Sequence, residues 1–320
     1  MKTNKIMKSL FGAVSILLVV SGFAVNATAQ SAARILFVGN GTLSSQRNAV
    51  TVKGLFAMNP DGYGLVQLSN DPNAINPVWS PGQNYIAYQE ISSPPVFSTI
   101  YIMDAIGTLH GGRAFPVVQR QAVVPGWSPD GTMLVFATLA AYNFNLYTVA
   151  VDPAAGTAGT PVPFVVDAPH SQYEPSWSPD GTRIAFERTT SSSTSAIFTR
   201  DVSTGVEVQM PAPFAGVMMV PSWSPDSTQI AFLASGTAGS VICLVNADGT
   251  NLRVLPSYPK SGGVAWPTWS PDGKSIALQV VVPTGKKTFQ SVICRQDLAT
   301  GAFTVLTPLT LSAAHPNWAP

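Results

Sequence analysis

One short motif recurs along the chain and limits what it can fold into. Its fullest form is P-x-W-S-P-D-G. Its six tryptophans are Trp79, Trp127, Trp177, Trp223, Trp269 and Trp318. Successive tryptophans are 48, 50, 46, 46 and 49 residues apart. A period in the mid-to-high forties is the length of a four-stranded propeller blade with its connections, so the spacing predicts one blade for each motif.

A short apolar strand is predicted seven residues after each of the first five tryptophans. The five triplets are Ile86–Tyr88, Leu134–Phe136, Ile184–Phe186, Ile230–Phe232 and Ile276–Leu278. The outer two residues of a triplet share one face of the strand and the smaller middle residue takes the other. A third strand and a turn to a fourth follow, as in Val292–Arg295 and Phe303–Leu306.

The composition of the motif is explained by turn chemistry. Ser-Pro-Asp-Gly favours a hairpin on a type I turn, because proline presets φ, aspartate accepts local backbone bonds and glycine takes the left-handed position. Two repeats depart from this pattern: Ser227 replaces the glycine, and Gly82 stands where the aspartate belongs. We expect the Ser227 turn to be strained by about 1 kcal/mol. The large tryptophan is predicted to pack between neighbouring blades.

The two ends of the chain complement each other. Ile35–Phe37 matches the apolar triplets but has no motif ahead of it, while His315–Pro320 is a motif with no strands behind it. Pairing these segments completes a sixth blade and removes the last open sheet edges. The sequence therefore predicts an all-β, six-bladed β-propeller of four-stranded blades over residues 30–320, closed by pairing the C-terminal strand with the N-terminal blade.

Residues 1–29 have the layout of a secretory signal peptide. Lys2, Lys5 and Lys8 precede an apolar run from Leu10 to Val20, and Ala27-Thr28-Ala29 matches a cleavage site. The alternative is a membrane anchor, but the run is shorter than the roughly 20 residues needed to span a bilayer. We expect a periplasmic or secreted protein with no membrane span after signal removal.

The charge of the mature chain argues against nucleic acid as a partner. The leader holds three of the 17 basic residues and none of the 16 acidic ones, which leaves a formal charge of −2. A near-neutral chain without a basic stripe lacks the electrostatic footprint of a nucleic-acid-binding protein.

The six motifs resemble the WD-repeat-like repeats of the TolB propeller family, and similar repeats occur in the propellers of tricorn-type and prolyl oligopeptidase-type proteases. The resemblance covers essentially the whole mature chain and is specific for the fold rather than for one function. It implies a rigid ring whose loops and axial channel bind a protein or peptide. The α/β domain that precedes the propeller in TolB and the hydrolase domain of the oligopeptidases have no counterpart in this sequence.

Few residues have the types and spacing that catalysis or metal binding requires. His110, His170 and His315 belong to no metal-binding pattern, and no G-x-S-x-G elbow accompanies His110-Gly111-Gly112. Asp130, Asp180, Asp226 and Asp272 could suggest calcium, but they fall in separate turns and are interpreted as turn caps. Cys243 and Cys294 occupy equivalent strands of adjacent blades, where free thiols are favoured over a disulfide. We expect no metal and no cofactor.

One set of positions supports a binding hypothesis. The residue three before each tryptophan is predicted to open the innermost strand, so that the six surround one mouth of the channel. In blade order these residues are His315, Asn76, Val124, Glu174, Val220 and Trp266. Trp266, His315 and Asn76 would be contiguous, with Glu174 opposite His315. We interpret Asn76, Glu174, Trp266 and His315 as a candidate site for an extended peptide or a small polar ligand; the alternative is that these residues only begin strands.

The favoured function is a non-catalytic, exported and monomeric scaffold for an envelope or extracellular protein or peptide. Two alternatives stay open. One is a propeller enzyme of the lyase, lactonase or glycosidase type, which needs converging carboxylates or several histidines. The other is a carbohydrate-binding surface protein, indicated only by the loop aromatics Tyr142, Phe144, Tyr173 and Tyr258.

Overall fold

The fold is known from a computed structural model. It describes residues 34–44, 49–92, 97–105, 114–119, 121–140, 142–167, 169–237, 239–259, 262–286 and 288–320. The predicted signal peptide and His110 lie outside these residues. Within them the chain forms strands and turns only, so no described segment is a helix that could cross a bilayer.

Six antiparallel sheets are the building blocks, and we number the blades in chain order. Blade 1 contains β1 (Ile35–Ser44), β2 (Ala49–Met58), β3 (Val66–Gln67) and β25 (Leu311–Trp318). Blade 2 contains β4 (Ala74–Trp79), β5 (Tyr85–Ser92), β6 (Phe97–Asp104) and β7 (Phe115–Val118). Blade 3 contains β8 (Ala122–Trp127), β9 (Met133–Ala140), β10 (Asn143–Asp152), β11 (Thr157–Ala158) and β12 (Val162–Val165).

The other three blades repeat the plan. Blade 4 contains β13 (Gln172–Trp177), β14 (Arg183–Thr189), β15 (Ser195–Asp201) and β16 (Glu207–Gln209). Blade 5 contains β17 (Val217–Trp223), β18 (Gln229–Gly236), β19 (Gly239–Asn246) and β20 (Arg253–Val254). Blade 6 contains β21 (Gly263–Trp269), β22 (Ser275–Pro283), β23 (Phe289–Asp297) and β24 (Phe303–Val305). In blade 3 the short strands β11 and β12 both pair with β10, so two pieces share the outer edge.

The ring closes as the sequence predicts. Strand β25 pairs antiparallel with β1, with Trp318 opposite Ile35, and the Ala319 N–H donates to the Arg34 carbonyl at 2.8 Å. The last strand of the chain is therefore the innermost strand of the first blade. The predicted six-bladed propeller with four-stranded blades is confirmed.

Size complementarity packs each blade on the next. The small residue in the middle of a triplet faces the large outer residues of the following blade: Ala185 shares a buried cluster with Ile230 and Phe232. Ala277 of blade 6 shares a buried cluster with Ile35 and Phe37 of blade 1, where the ring closes. The second strand of each blade is covered on both faces. All three positions of its triplet are therefore buried in every blade.

The tryptophans join neighbouring blades, as predicted. The indole Nε1–H of Trp127, Trp223 and Trp269 donates to a backbone carbonyl of the preceding blade, at 3.0–3.3 Å. Trp177 instead donates to the Gly181 carbonyl of its own turn, at 3.2 Å. These four indoles thus add a directional bond to a large apolar surface, whereas the Nε1 atoms of Trp79 and Trp318 are buried without a protein partner.

The hairpin turns confirm the role given to the aspartates. The Ser128 hydroxyl donates to Asp130 Oδ1 at 2.5 Å, and the Thr132 N–H donates to the same carboxylate at 3.0 Å. These hydrogen bonds hold the pKa of Asp130 below its usual value, and the bond from the Ser128 hydroxyl has the largest effect. Asp180, Asp226 and Asp272 make the equivalent serine bonds at 2.6 Å, so all four are turn caps.

Ser227 does adopt the left-handed conformation that the missing glycine would favour, with φ 60°. Its hydroxyl, however, accepts a bond from the Asp180 N–H of blade 4 at 3.0 Å, and the side chain is buried. The strain predicted from sequence is therefore accompanied by a bond between blades that a glycine could not make.

Two substitutions at this turn separate strain from bonding. Ser227→Gly removes about 1 kcal/mol of strain and loses a bond of similar value, so its free energy of unfolding is expected within about 0.5 kcal/mol of wild type. Ser227→Ala keeps the strain and loses the bond, and is expected to be destabilised by about 1–2 kcal/mol. Urea unfolding of both variants measures this. Equal stability of the two variants would show that the left-handed conformation carries no strain, and a Ser227→Ala variant as stable as wild type would show that the hydroxyl bond contributes nothing.

The two thiols are free, as predicted. Cys243 and Cys294 are both fully buried in β19 and β23, and neither is in a disulfide. Burial raises the pKa of each thiol to about 12, so neither forms a reactive thiolate near neutral pH.

Candidate functional site

A cavity of about 470 Å³ lies on the propeller axis. Every blade lines it with the same positions of its innermost strand and turn, from three residues before the tryptophan to two residues after it. We call the residues three before the tryptophan the inner ring. The inner ring consists of His315, Asn76, Val124, Glu174, Val220 and Trp266. The opposite end is formed by the proline ring, Pro81, Pro129, Pro179, Pro225, Pro271 and Pro320.

The inner ring is held by an unusual backbone. All six residues have φ between 49° and 55°, although none is glycine. Each falls in a β-bulge, because the pairing with the second strand skips the ring residue and the proline after it. The proline has no N–H to give to a ladder, which favours the interruption at this point. Left-handed β-branched residues such as Val124 and Val220 are rare, and such backbone strain clusters at binding sites.

The prediction that these residues open their strands is wrong. Each innermost strand begins at least two residues earlier, as β4 does at Ala74 and β25 at Leu311. The strand continues past the ring because only the ring residue and its proline leave the ladder, and pairing resumes on both sides. The inner ring therefore lies within the strands, at the end of the cavity away from the proline ring.

Glu174 is half-buried at the ring and hydrogen-bonds to the carboxyl group of Glu187 on β14. Its Oε2 accepts the Val220 N–H of the next blade at 2.5 Å. Desolvation, followed by the negative charge of Glu187, raises the pKa of Glu174 to about 8. Burial also raises the pKa of Glu187, so the two carboxyls share a proton at neutral pH.

Asn76 is tied to a glutamine behind the ring. Its Nδ2 donates to Gln89 Oε1 on β5 at 2.9 Å, and the Val124 N–H donates to the same oxygen at 3.3 Å. Asn76 is therefore linked to the Val124 side of the ring.

Trp266 and His315 meet directly across the junction of blades 6 and 1. Their ring centroids are 4.3 Å apart and the planes are inclined by 53°. Burial lowers the pKa of His315 to about 4, so the imidazole is neutral at physiological pH. Of the predicted neighbours Trp266, His315 and Asn76, the first two are in contact.

Three side chains of this site were not predicted from the sequence. Gln89 and Glu187 lie ten residues after Trp79 and Trp177, and Gln279 lies ten after Trp269. Each is a polar residue in the second strand of its blade, paired next to the bulge of the innermost strand. A polar residue recurring at one offset from the motif was the available signal.

The other candidates lie apart from the cavity. His170 contacts Asp167 at 3.5 Å near the start of β13. Phe144 and Tyr173, predicted in loops, lie instead in β10 and β13 and pack on each other at 4.9 Å between ring centroids, whereas Tyr258 packs on Phe303 of blade 6. Among the described residues, no group of three or more histidine, cysteine, aspartate or glutamate side chains could hold a metal ion.

Solved structures with the same fold have diverse functions. TolB from Acinetobacter baumannii superposes with a TM-score of 0.69 at 17% identity, covering 90% of this chain and 67% of that one. A nidogen/laminin complex gives 0.63 at 12% identity, covering 90% and 98%. Oligogalacturonate lyase in complex with manganese gives 0.53 at 15% identity, covering 87% and 74%. At these identities the likeness establishes the fold alone.

No curated protein matches the chain by sequence. The TolB β-propeller domain family does match it, over residues 154–320, which is just over half of the chain. This match includes the motifs at Trp177, Trp223, Trp269 and Trp318. The match and the six-bladed fold agree with the resemblance seen in the repeats. The chain belongs to the TolB β-propeller family.

Proposed function

We propose that this protein is a non-catalytic binding scaffold whose axial cavity takes an extended peptide segment, or a small polar ligand, of an envelope or extracellular partner. The observation that carries the proposal is the cavity itself. Its volume of about 470 Å³ lies in the range of ligand sites, every blade contributes tryptophan and proline to its walls, and its ionisable side chains, Glu174 and His315, lie at one end.

The chemistry of the lining supports binding more than catalysis. The ionisable side chains that line the cavity, among the described residues, are Glu174 and His315. Glu174 already bonds to Glu187 and to the Val220 N–H, and His315 packs on Trp266. This arrangement has no nucleophile oriented by a base, which acyl or glycosyl transfer would use.

Export to the periplasm or the exterior is part of the proposal. It is supported by the basic start, apolar run and small residues of positions 1–29. A monomer is proposed as well, because closure of the ring between β25 and β1 leaves no open first or last blade for a second copy to complete.

Paired capture experiments test the cavity as the binding site. Wild type and the double variant Trp266→Ala/Glu174→Ala are each used to capture partners from an envelope extract, and the affinity of each captured protein is then measured. We expect the double variant to bind the partner at least tenfold more weakly, since it loses the ring's largest contact and its carboxylate. Asp152→Asn, at the exposed end of β10 and not in the cavity lining, is the matched control.

Unchanged affinity in the double variant would place the binding surface elsewhere and overturn the proposal. The enzyme alternative has its own measurement, prompted by the fold shared with the manganese-bound lyase. Turnover of oligogalacturonate with manganese, abolished by His315→Ala, would replace the scaffold with a lyase.

A further inference from the structure

We propose that the inner ring recognises a positively charged nitrogen, an ammonium or guanidinium group, on the segment that enters the cavity. This inference rests on the proposed function and adds the chemical class of the ligand. It draws on three features of the site: its charge, the balance of its hydrogen-bonding groups, and its aromatic walls.

The charge of the cavity has one sign. Glu174 is the carboxyl group in the lining, Glu187 stands directly behind it, and no lysine or arginine is among the lining residues. His315 is neutral, since burial lowers its pKa to about 4. A cation entering the ring therefore meets a carboxyl pair without a competing positive charge, in surroundings where little water screens the attraction.

The unpaired acceptor atoms of the inner ring also favour a positively charged ligand. Three donors of the ring are used internally: Val124 N–H and Asn76 Nδ2 donate to Gln89, and Val220 N–H donates to Glu174. The indole N–H groups of Trp79 and Trp318, farther along the cavity, are buried donors without a protein partner. Asn76 Oδ1 is a buried acceptor without a protein partner, and so is His315 Nδ1 in the tautomer of the neutral imidazole that carries its proton on Nε2. Gln279 Oε1, behind the ring in blade 6, is likewise a buried acceptor without a protein partner. A ligand rich in donors satisfies these atoms, and an ammonium group offers three N–H donors and no acceptor.

The walls suit the stem of a basic side chain. Trp266 stands in the ring, and the six motif tryptophans and their prolines line the way to it. Aromatic faces attract ammonium and guanidinium groups, and the methylenes of lysine or arginine pack on apolar surface.

An organic cation fits better than a metal ion. Calcium takes six to eight oxygen ligands at about 2.3–2.6 Å around one point. The acceptors here are spread around the ring, and the described residues contain no cluster of three metal-ligating side chains. An ammonium or guanidinium group on a flexible stem can reach separate acceptors.

Binding of a cation should release a proton from the carboxyl pair. The titratable group that faces Glu174 is Glu187, and the other contact to its carboxyl is the Val220 N–H. Because the raised pKa of Glu174 means that the pair holds a proton at neutral pH, a cation that favours the fully ionised pair displaces that proton. The affinity for the cation is therefore expected to rise between pH 6 and pH 8.5.

Three capped tripeptides test the inference on the intact protein: acetyl-Ala-Lys-Ala-amide, acetyl-Ala-Gln-Ala-amide and acetyl-Ala-Glu-Ala-amide. Binding is followed by tryptophan fluorescence and calorimetry with EDTA present. We expect the lysine peptide to bind wild type at least tenfold more tightly than the glutamine peptide at pH 8.5, and the glutamate peptide to bind most weakly. Glu174→Gln/Glu187→Gln should abolish the preference for lysine, whereas Asp152→Asn should retain it.

The outcomes separate this inference from the proposed function. If the glutamine or glutamate peptide binds as well as the lysine peptide, and Trp266→Ala weakens that binding, the cavity is a binding site but does not select cations. If none of the peptides binds at 10 mM, cation recognition is overturned, and capture of the envelope partner continues to test the scaffold. A lysine preference that survives in the double glutamine variant would also overturn the inference, because the carboxyl pair would not be its source. The comparison within wild type needs no variant to fold.

Discussion

Deleting residues 311–320 is expected to leave the chain unfolded or aggregated. The deletion removes β25, the innermost strand of blade 1, and with it Trp318, Leu311 and Ala313 from the core that blade 1 shares with blade 6. Loss of a buried tryptophan alone costs about 3–5 kcal/mol, and a domain of this kind has a total stability of about 5–15 kcal/mol. The deletion also exposes the edge of β1, which can then pair with other chains. Circular dichroism and size-exclusion chromatography measure both effects.

A circular permutant is the matched control. Pro320 is joined to Arg34 by a short Gly/Ser linker, and new termini are opened at Ser192 in the exposed β14–β15 hairpin. The permutant keeps every strand, and its free energy of unfolding is expected within about 2 kcal/mol of wild type, because exposed hairpin tips tolerate new termini. A truncated protein that unfolds cooperatively at the wild-type midpoint would contradict the closed ring.

The stability of the protein should fall as the pH rises from 6.5 to 8. The folded-state pKa of Glu174 is raised, to about 8, above its ordinary value of 4.5, so the folded state keeps a proton that the unfolded chain has lost. The stabilisation is complete below pH 4.5 and is lost as the pH rises toward 8. One retained proton corresponds to about 1.4 kcal/mol per pH unit, or about 2 kcal/mol across this window. Urea unfolding at several pH values measures the slope.

The window starts at pH 6.5 because His315 acts in the opposite direction below it. The folded-state pKa of His315 is lowered to about 4. Between pH 4 and 6.5 the imidazole is therefore protonated in the unfolded chain and neutral in the folded state, and stability rises with pH across this range. Glu174→Gln should remove the fall above pH 6.5 and be more stable than wild type at pH 8 by a few kcal/mol. The control Asp152→Asn should show the same fall in stability above pH 6.5 as wild type. A wild-type stability that does not fall between pH 6.5 and 8 would show that the carboxyl pair is solvated.

The inner ring combines a regular backbone with irregular side chains. Its six φ angles agree within a few degrees, but its side chains include two valines, an amide, a carboxyl, an imidazole and an indole. Every blade shares the backbone conformation. Valine adopts it at two positions, so the conformation does not need a polar side chain, and this makes the polar members candidates for binding.

The repeats predicted the fold well because they combine spacing with turn chemistry. Asp130 and Gly131 indicate their hairpin from local bonds alone, and the structure has those bonds. Closure was also predictable, because Ile35 and Trp318 each belong to an incomplete copy of the same pattern. The bulge at the inner ring was not, because a residue before proline is ordinarily extended and no local feature requires φ near 50°.

The linear sequence by itself determined the number of blades, the closure between the chain ends and the identities of the ring residues, because all three follow from one repeat whose turns and strands are stabilised locally. Only the tertiary structure decided that Glu174 meets Glu187, that Asn76 and Val124 share Gln89, and that His315 packs on Trp266. These contacts join different strands or different blades around the axis. The pKa values of Glu174 and His315 depend on burial there, which arises only when the ring excludes water.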